Sequence, residues 1–346
     1  MSTSIPSTDL DPAGQDAGLV ALSTPQTIEG GSTEVLPPST HKKRHGVGWR
    51  TRLEITLLSG PAIIVFVAFV IVPVIVALYY SFYSWKGFGP VVSLAHWWDN
   101  YKWTLSNPTF WSSVEHNGVI IVLSLIMQGP LAILMALLLN KKMRGRSIIR
   151  ILIFVPWVVS EAIAGIGLSL MLQTSGAVNG VLAHLGIGKI AWLSNPKTAI
   201  WTLMFILTWK YIGFAVILML AGLQGIPEEL SEAAAVDGAS YWKTQWHIML
   251  PLLTPTIKIW AFLSIIGSMQ LFDIIYVIWG QYIGNIAGVS TMVYFMAGNG
   301  RLSGQLGRGS AIAIVVFVIS LIVALIYQRL VLNRNTEGAL TDGGAE

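Results

Sequence analysis

The sequence predicts an all-α membrane protein with six transmembrane helices. Composition, hydropathy pattern and charge placement each point there. Of the 346 residues, 54% are hydrophobic and only 11% are charged, where a soluble domain carries about 25% charge. Six stretches hold the ~20 mostly apolar residues that a helix needs to cross the hydrocarbon core: 55–83, 118–139, 148–172, 199–223, 252–279 and 309–332. Lys and Arg then fall unevenly between them.

Ahead of the first span stand Lys42, Lys43, Arg44, Arg50 and Arg52, and between the second and third stand Lys141, Lys142, Arg144, Arg146 and Arg150. The loops on the other side hold only Lys86 and Lys102, then Lys189 and Lys197, then Arg301 and Arg308. Cytoplasmic loops carry the excess of basic residues, so both termini are expected in the cytoplasm. Residues 1–40 are rich in Ser, Thr, Pro and Gly without apolar periodicity, which predicts a disordered tail, taken with the basic stretch after it as 1–50. They lack the basic start and apolar core of a cleavable signal peptide. The absence of cysteine excludes disulfides and thiolate metal sites.

The first outer loop is crowded with Trp97, Trp98, Tyr101, Trp103, Phe110 and Trp111. Such rings anchor helices at the membrane interface, and they equally offer a docking face to an outside partner. The third, 280–308, is glycine-rich and reads as a loop. Neither it nor any other segment supplies G-x-x-x-x-G-K-[ST], so no ATP site of P-loop type is expected.

Between the fourth and fifth spans lies EAAAVDGASYWKTQWHIMLP, residues 232–251. It is as long as a span but polar. Ile226-Pro227-Glu228-Glu229 reads as a helix start, since proline is tolerated in the first turn and acids suit the positive end of the helix dipole. The alanines continue the helix, and Gly238 ends it in a left-handed cap. Ser240 is then expected to cap a second helix over 241–250, with Pro251 marking the turn into the fifth span. Ala233, Ala234 and Ala235 promise a smooth face, Glu232 and Asp237 offer carboxylates, and Tyr241, Trp242 and Trp246 are anchors to lipid or a neighbour. From composition alone this is either an interfacial amphipathic loop or a docking element.

Its spacing is more specific. Glu232-Ala233-Ala234, three residues, Gly238, nine residues, then Ile248-Met249-Leu250-Pro251 resembles the EAA loop of ABC importer permeases, with every fixed position matched. The likeness runs from about Asn100 to Asn333, and AWLSNP, LPLLTPT and FDIIYV are similar to the carbohydrate branch, the maltose-type and glycerol-phosphate-type permeases. GQYIGNIAG stands where that family often has a GGP-type turn. The resemblance implies the transmembrane domain of a type I ABC importer, at 51–335 with a core at 112–332. It implies a cytoplasmic coupling loop at 224–251 and a short C-terminal tail at 336–346. Glu232, Ala233, Ala234, Asp237, Gly238, Ile248, Leu250 and Pro251 would couple to an ATPase. The chain itself would be no enzyme and bind no cofactor, ATP and Mg being held by the ATPase chain. Two copies of that ATPase, a second homologous permease in a heterodimer and an extracytoplasmic binding protein are the implied partners, beside membrane lipid and without nucleic acid. The implied place is a bacterial inner membrane, and the implied cargo an oligosaccharide.

Ionisable residues inside spans are costly and usually face a cavity or a partner. The chain has Glu161 in the third span, Lys210 in the fourth and Asp273 in the fifth. The resemblance aligns Tyr211, Phe214, Ser264 and Ser268 with sugar contacts, and Lys210, Gln270 and Asp273 lie beside them; helix packing is the alternative for each. Lys210 and Asp273 could form a proton relay in an ion-driven secondary transporter, or Lys210 could bind backbone carbonyls. That second class of transporter leaves the EAA spacing unexplained. An intramembrane enzyme lacks a catalytic constellation.

Overall fold

The structure, a computed structural model, describes residues 49–141, 144–280 and 283–332. Both expected terminal tails lie outside them apart from Trp49 and Arg50. The chain divides into two compact units, 1–58 and 59–346. Of the first, the described part is helix.

The helices run in chain order as α1 (Trp49–Phe66), α2 (Val72–Tyr80), α3 (Asp99–Ser106), α4 (Pro108–Leu123), α5 (Gly129–Asn140), α6 (Arg146–Val158), α7 (Glu161–Leu172) and α8 (Ala177–His184), then α9 (Pro196–Gln224), α10 (Glu229–Val236), α11 (Tyr241–Thr244), α12 (Leu250–Met269), α13 (Asp273–Trp279), α14 (Ile283–Ile286), α15 (Met292–Asn299) and α16 (Leu306–Tyr327). Among the described residues six helical stretches are long and apolar enough to cross a membrane: Leu53–Tyr80, Pro108–Asn140, Glu161–His184, Pro196–Gln224, Tyr241–Met269 and Leu306–Val331. A small antiparallel hairpin, β1 (Tyr83–Ser84) with β2 (Val92–Ser93), follows the first stretch and leans on α16, whose Gly307 N–H donates to Trp85 O at 3.0 Å.

Three prolines follow a common rule. Pro73, Pro130 and Pro251 each stand two residues beyond a π-helical turn, at Val67–Ile71, Ser124–Gln128 and Gln245–Met249. A proline has no N–H to give, and its ring presses on the carbonyl one turn back. Widening that turn to π geometry keeps the helix continuous. This corrects the expectation at Pro251: no turn separates 241–250 from the fifth span, and one helical rod runs Tyr241–Met269.

Two expected spans are broken instead. The third, expected as 148–172, stops at Val158 and restarts at Glu161, with Val159 and Ser160 extended; Pro156 lies in the last turn before the break. The fifth, expected through 279, stops at Met269 and restarts at Asp273. The stretch expected as the third outer loop, 280–308, is no simple loop either. α15 lies inside it, with Met292, Tyr294 and Phe295 buried.

α9 is the hub. It packs against α5, α6 and α12, and Leu203, Met204, Ile206 and Met219 along it are wholly buried. Glycine makes this close approach possible. A Cβ on Gly213 would collide with Ile153 O and lie 2.9 Å from Phe154 Cα. We therefore expect Gly213→Ala to lower stability by about 1–3 kcal/mol, as overpacking does. Thermal unfolding of the detergent-solubilised chain should show this as a drop of several degrees. Gly118, whose Cβ would meet nothing within 4 Å, is the control, and Gly118→Ala should leave the midpoint unchanged or raised.

Candidate functional site: a capped helix break beside an aromatic cavity, and an exposed loop helix

A helix broken inside lipid leaves carbonyls that water cannot satisfy, so protein groups must do so. At the α6 end the group is Lys210, midway along α9 and only 3% exposed. Its ammonium donates to Pro156 O at 3.1 Å, to Trp157 O at 3.0 Å and to Val159 O. Three donors meet three acceptors, which uses the full capacity of a lysine. A cation also suits the negative end of a helix dipole. At the α12 end the groups are neutral. Asn117 Nδ2 donates to Ser268 O at 2.7 Å while its Oδ1 accepts from Met292 N–H at 2.8 Å. Thr291 Oγ1 donates to Leu271 O at 2.5 Å.

These breaks shape a cavity of about 230 Å3. Tyr211, Phe214, Ser264 and Ser268 all line it, as the sequence grouped them. Trp157, Trp260, Ser124, Gln128, Leu263 and Gly267 line it too, with Leu207 and Leu271. Trp157 stacks on Phe214, with ring centroids 5.5 Å apart and planes at 19°. Ser268 Oγ donates to Ser264 O at 2.8 Å, so it faces the cavity as an acceptor. The Tyr211 hydroxyl donates to Glu161 at the first position of α7.

The other three residues grouped with the path sit elsewhere. Lys210 is committed to the α6 end, the backbone-carbonyl alternative read from the sequence. Gln270 and Asp273 are exposed at the second break and lie outside the cavity lining. Trp157 and Trp260 escaped the sequence reading. A signal existed, because tryptophan prefers the membrane interface and both stand deep within apolar runs. Ser124 and Gln128 had none: only the π turn they occupy brings them to the cavity.

The 232–251 stretch forms a second candidate site. α10 ends as expected. Gly238 adopts φ +76°, its N–H donates to Ala235 O at 3.1 Å, and Ala239 N–H reaches back to Ala234 O at 2.9 Å, the paired bonds of a Schellman cap. Glu232, Ala233, Asp237 and Gly238 are exposed and Val236 is 88% exposed, but Ala234 is buried. The three alanines thus do not share one face, since successive helical residues point about 100° apart. Ser240 stands at the start of the next helix without a side-chain cap bond. Tyr241 ties this region to α5: its hydroxyl donates to Leu137 O at 3.0 Å and Lys141 Nζ lies 3.5 Å above its ring. Trp242 and Trp246 are exposed, whereas Ile248 and Leu250 are half-buried at the root of the rod.

Residues 128–334 match the family described as binding-protein-dependent transport system inner membrane component. The chain belongs to that family. It is 34% identical to the trehalose/maltose transport system permease protein of Thermococcus litoralis, over 78% of this chain and 91% of that one. It is 33% identical to the arabinooligosaccharides transport system permease protein of Bacillus subtilis, over 79% and 87%. Its fold is that of a chain of a bacterial ABC transporter that imports the acidic polysaccharide alginate, with TM-score 0.71 and 23% identity over 82% of this chain and 97% of that one. A second solved structure of an alginate transporter, bound to its periplasmic protein, matches equally, with TM-score 0.71. The chain is a multi-pass membrane permease subunit, not an enzyme.

The cap on α6 predicts a strong effect. Lys210→Met would leave three carbonyls, one buried and two part-buried, without a donor, and each such loss costs about 1–3 kcal/mol where water is excluded. We expect a destabilisation of at least about 3 kcal/mol, which lowers the unfolding midpoint in detergent by about 6 °C or more.

Proposed function

We propose that this permease forms, with a second homologous permease, the membrane path of an ATP-driven sugar importer. The named relatives serve trehalose and maltose or arabinooligosaccharides, and an oligosaccharide is the cargo we assign to this chain. An extracytoplasmic binding protein delivers it. Two copies of an ABC ATPase sit beneath the permease pair and hold ATP and Mg. The membrane is a bacterial inner membrane with both termini in the cytoplasm, in keeping with the placement of Lys and Arg.

The observation that carries this reading is the continuity of the loop helix with the fifth span. α10 presents Glu232, Ala233 and Asp237 to solvent. The Gly238 elbow joins it to a rod that runs without interruption from Tyr241 to Met269. The far end of that rod carries Ser264, Gly267 and Ser268 in the cavity wall. An ATPase that grips α10 therefore pulls on a lever whose other end is the sugar site. Movement of the rod alternates access to the cavity, and the small side chain at Ala233 lets the ATPase groove approach the backbone closely.

Purification of the tagged chain from native membranes tests this. An ATPase chain should copurify with the wild type, and Glu232→Ala combined with Gly238→Trp should remove it or its transport-linked activity while membrane insertion persists. Uptake that survived loss of every ATPase and collapsed with a proton uncoupler would sink the proposal. The cavity makes a separate prediction for uptake by the whole importer. Phe214→Leu removes one face of the Trp157 stack, an interaction of about 1 kcal/mol. KM for the sugar should therefore rise roughly fivefold, while Phe214→Tyr stays near wild type.

A further inference from the structure

The cavity also carries information in its charge. Its lining offers hydroxyls, one amide and four aromatic rings, and no lysine or arginine among the described residues. The nearby cation is Lys210, whose Nζ lies 5.8 Å from the Tyr211 ring centroid. All three of its donors are taken by the α6 carbonyls, so it has none left for a ligand.

Two carboxylates stand at the Tyr211 end. Glu161 accepts from the Tyr211 hydroxyl, and Asp273 opens α13, a helix packed against the α7 that Glu161 opens. The fold puts them together. α7 and α13 pack side by side, and a Cβ on Gly165 would meet Val277 and Ile278. Gly165 is four residues past Glu161, and Val277 is four past Asp273. The two helices thus run parallel from the same level, each beginning with its acid at the positive end of its dipole. Neither carboxylate lines the cavity, but two of them against one committed ammonium make the surroundings behind Tyr211 negative.

We propose that the membrane site admits neutral glycans and excludes anionic ones, with Glu161 and Asp273 as the specificity-determining residues. This rests on the cavity being the sugar path. A uronic acid or sugar phosphate entering it would shed water where no cation replaces that water. It would also face like charge across a medium far less screening than bulk water. A neutral pyranose meets no such barrier. Its apolar face can stack on Trp157 and Phe214, and its hydroxyls can pair with Ser124, Gln128 and Ser264.

The test uses the complex that copurifies with this chain, held in nanodiscs, and titrates it calorimetrically with maltotriose, arabinotriose and trigalacturonate. We expect at least one neutral trisaccharide to bind and trigalacturonate to bind about tenfold more weakly or less, the scale of one close like-charge contact. Asp273→Asn with Glu161→Gln, which keeps an acceptor for Tyr211, should narrow that gap at least about threefold. Trigalacturonate binding as tightly as the neutral sugars would overturn the inference, and so would a gap that the double variant leaves unmoved. Phe214→Leu separates the two levels. If it weakens sugar binding while charge makes no difference, the exclusion of anions alone is wrong. If it leaves neutral-sugar binding untouched, or if no trisaccharide binds at all, the cavity is not the sugar path and both readings fall.

Discussion

The hydrogen bonds from Lys210 to the end of α6 are the constraint on which the site depends. Lipid offers no partner for a loose carbonyl, so a span can break only where the protein supplies donors. One lysine, buried at the centre of the most enclosed helix, supplies three at once. The break it stabilises lets α7 begin afresh at Glu161, leaves Trp157 free to stack on Phe214, and brings Glu161 to Tyr211. An ionisable residue in a span invites a reading as part of a proton relay. Here its proton donors serve architecture, and the charge that would be costly alone is matched to the negative end of a helix.

The second break shows the same need met by different chemistry. Asn117 and Thr291 cap the end of α12 with neutral groups, the first from 151 residues away and the second from 20. That dependence draws the loop between α13 and α16 into the protein. Ser290 meets Ser113 at 2.5 Å and His116 Nδ1 lies 3.0 Å from Ser290 O. A stretch whose glycines read as a loop is therefore packed, with Phe295 stacked on Trp103 at 6.0 Å. Trp103 and Phe110 of the aromatic 97–111 segment serve this packing, while Trp97 and Trp98 remain exposed.

Continuity is as deliberate as interruption. Pro251, at the end of the 232–251 pattern, would ordinarily hinder a helix. The π turn at Gln245–Met249 absorbs it, so the loop helix and the fifth span are mechanically one piece from Tyr241 onward. Gly238, at φ +76°, is the single flexible-geometry joint before it, since a side chain there would be strained. A rigid rod with one defined elbow transmits displacement. A chain with a soft turn at each end would not.

The resemblance supplied four of the residues that share the cavity; the sequence by itself determined the helical membrane class, the first, fourth and sixth spans within a few residues, and the exposed loop helix with its glycine cap. Each of these rests on local physics: apolar runs long enough for lipid, proline and glycine at helix ends, and a fixed spacing on a short element. Only the tertiary structure decided where the third and fifth spans break, that Lys210 closes one break rather than facing the cavity, that Ala234 turns inward, and that Trp157 and Trp260 join Tyr211 and Phe214. The breaks depend on donors more than 50 residues away along the chain for α6 and 150 for α12. No short window along the chain contains both Lys210 and the α6 carbonyls, or both Asn117 and Ser268, and so no local pattern could reveal that the backbone was free to stop there.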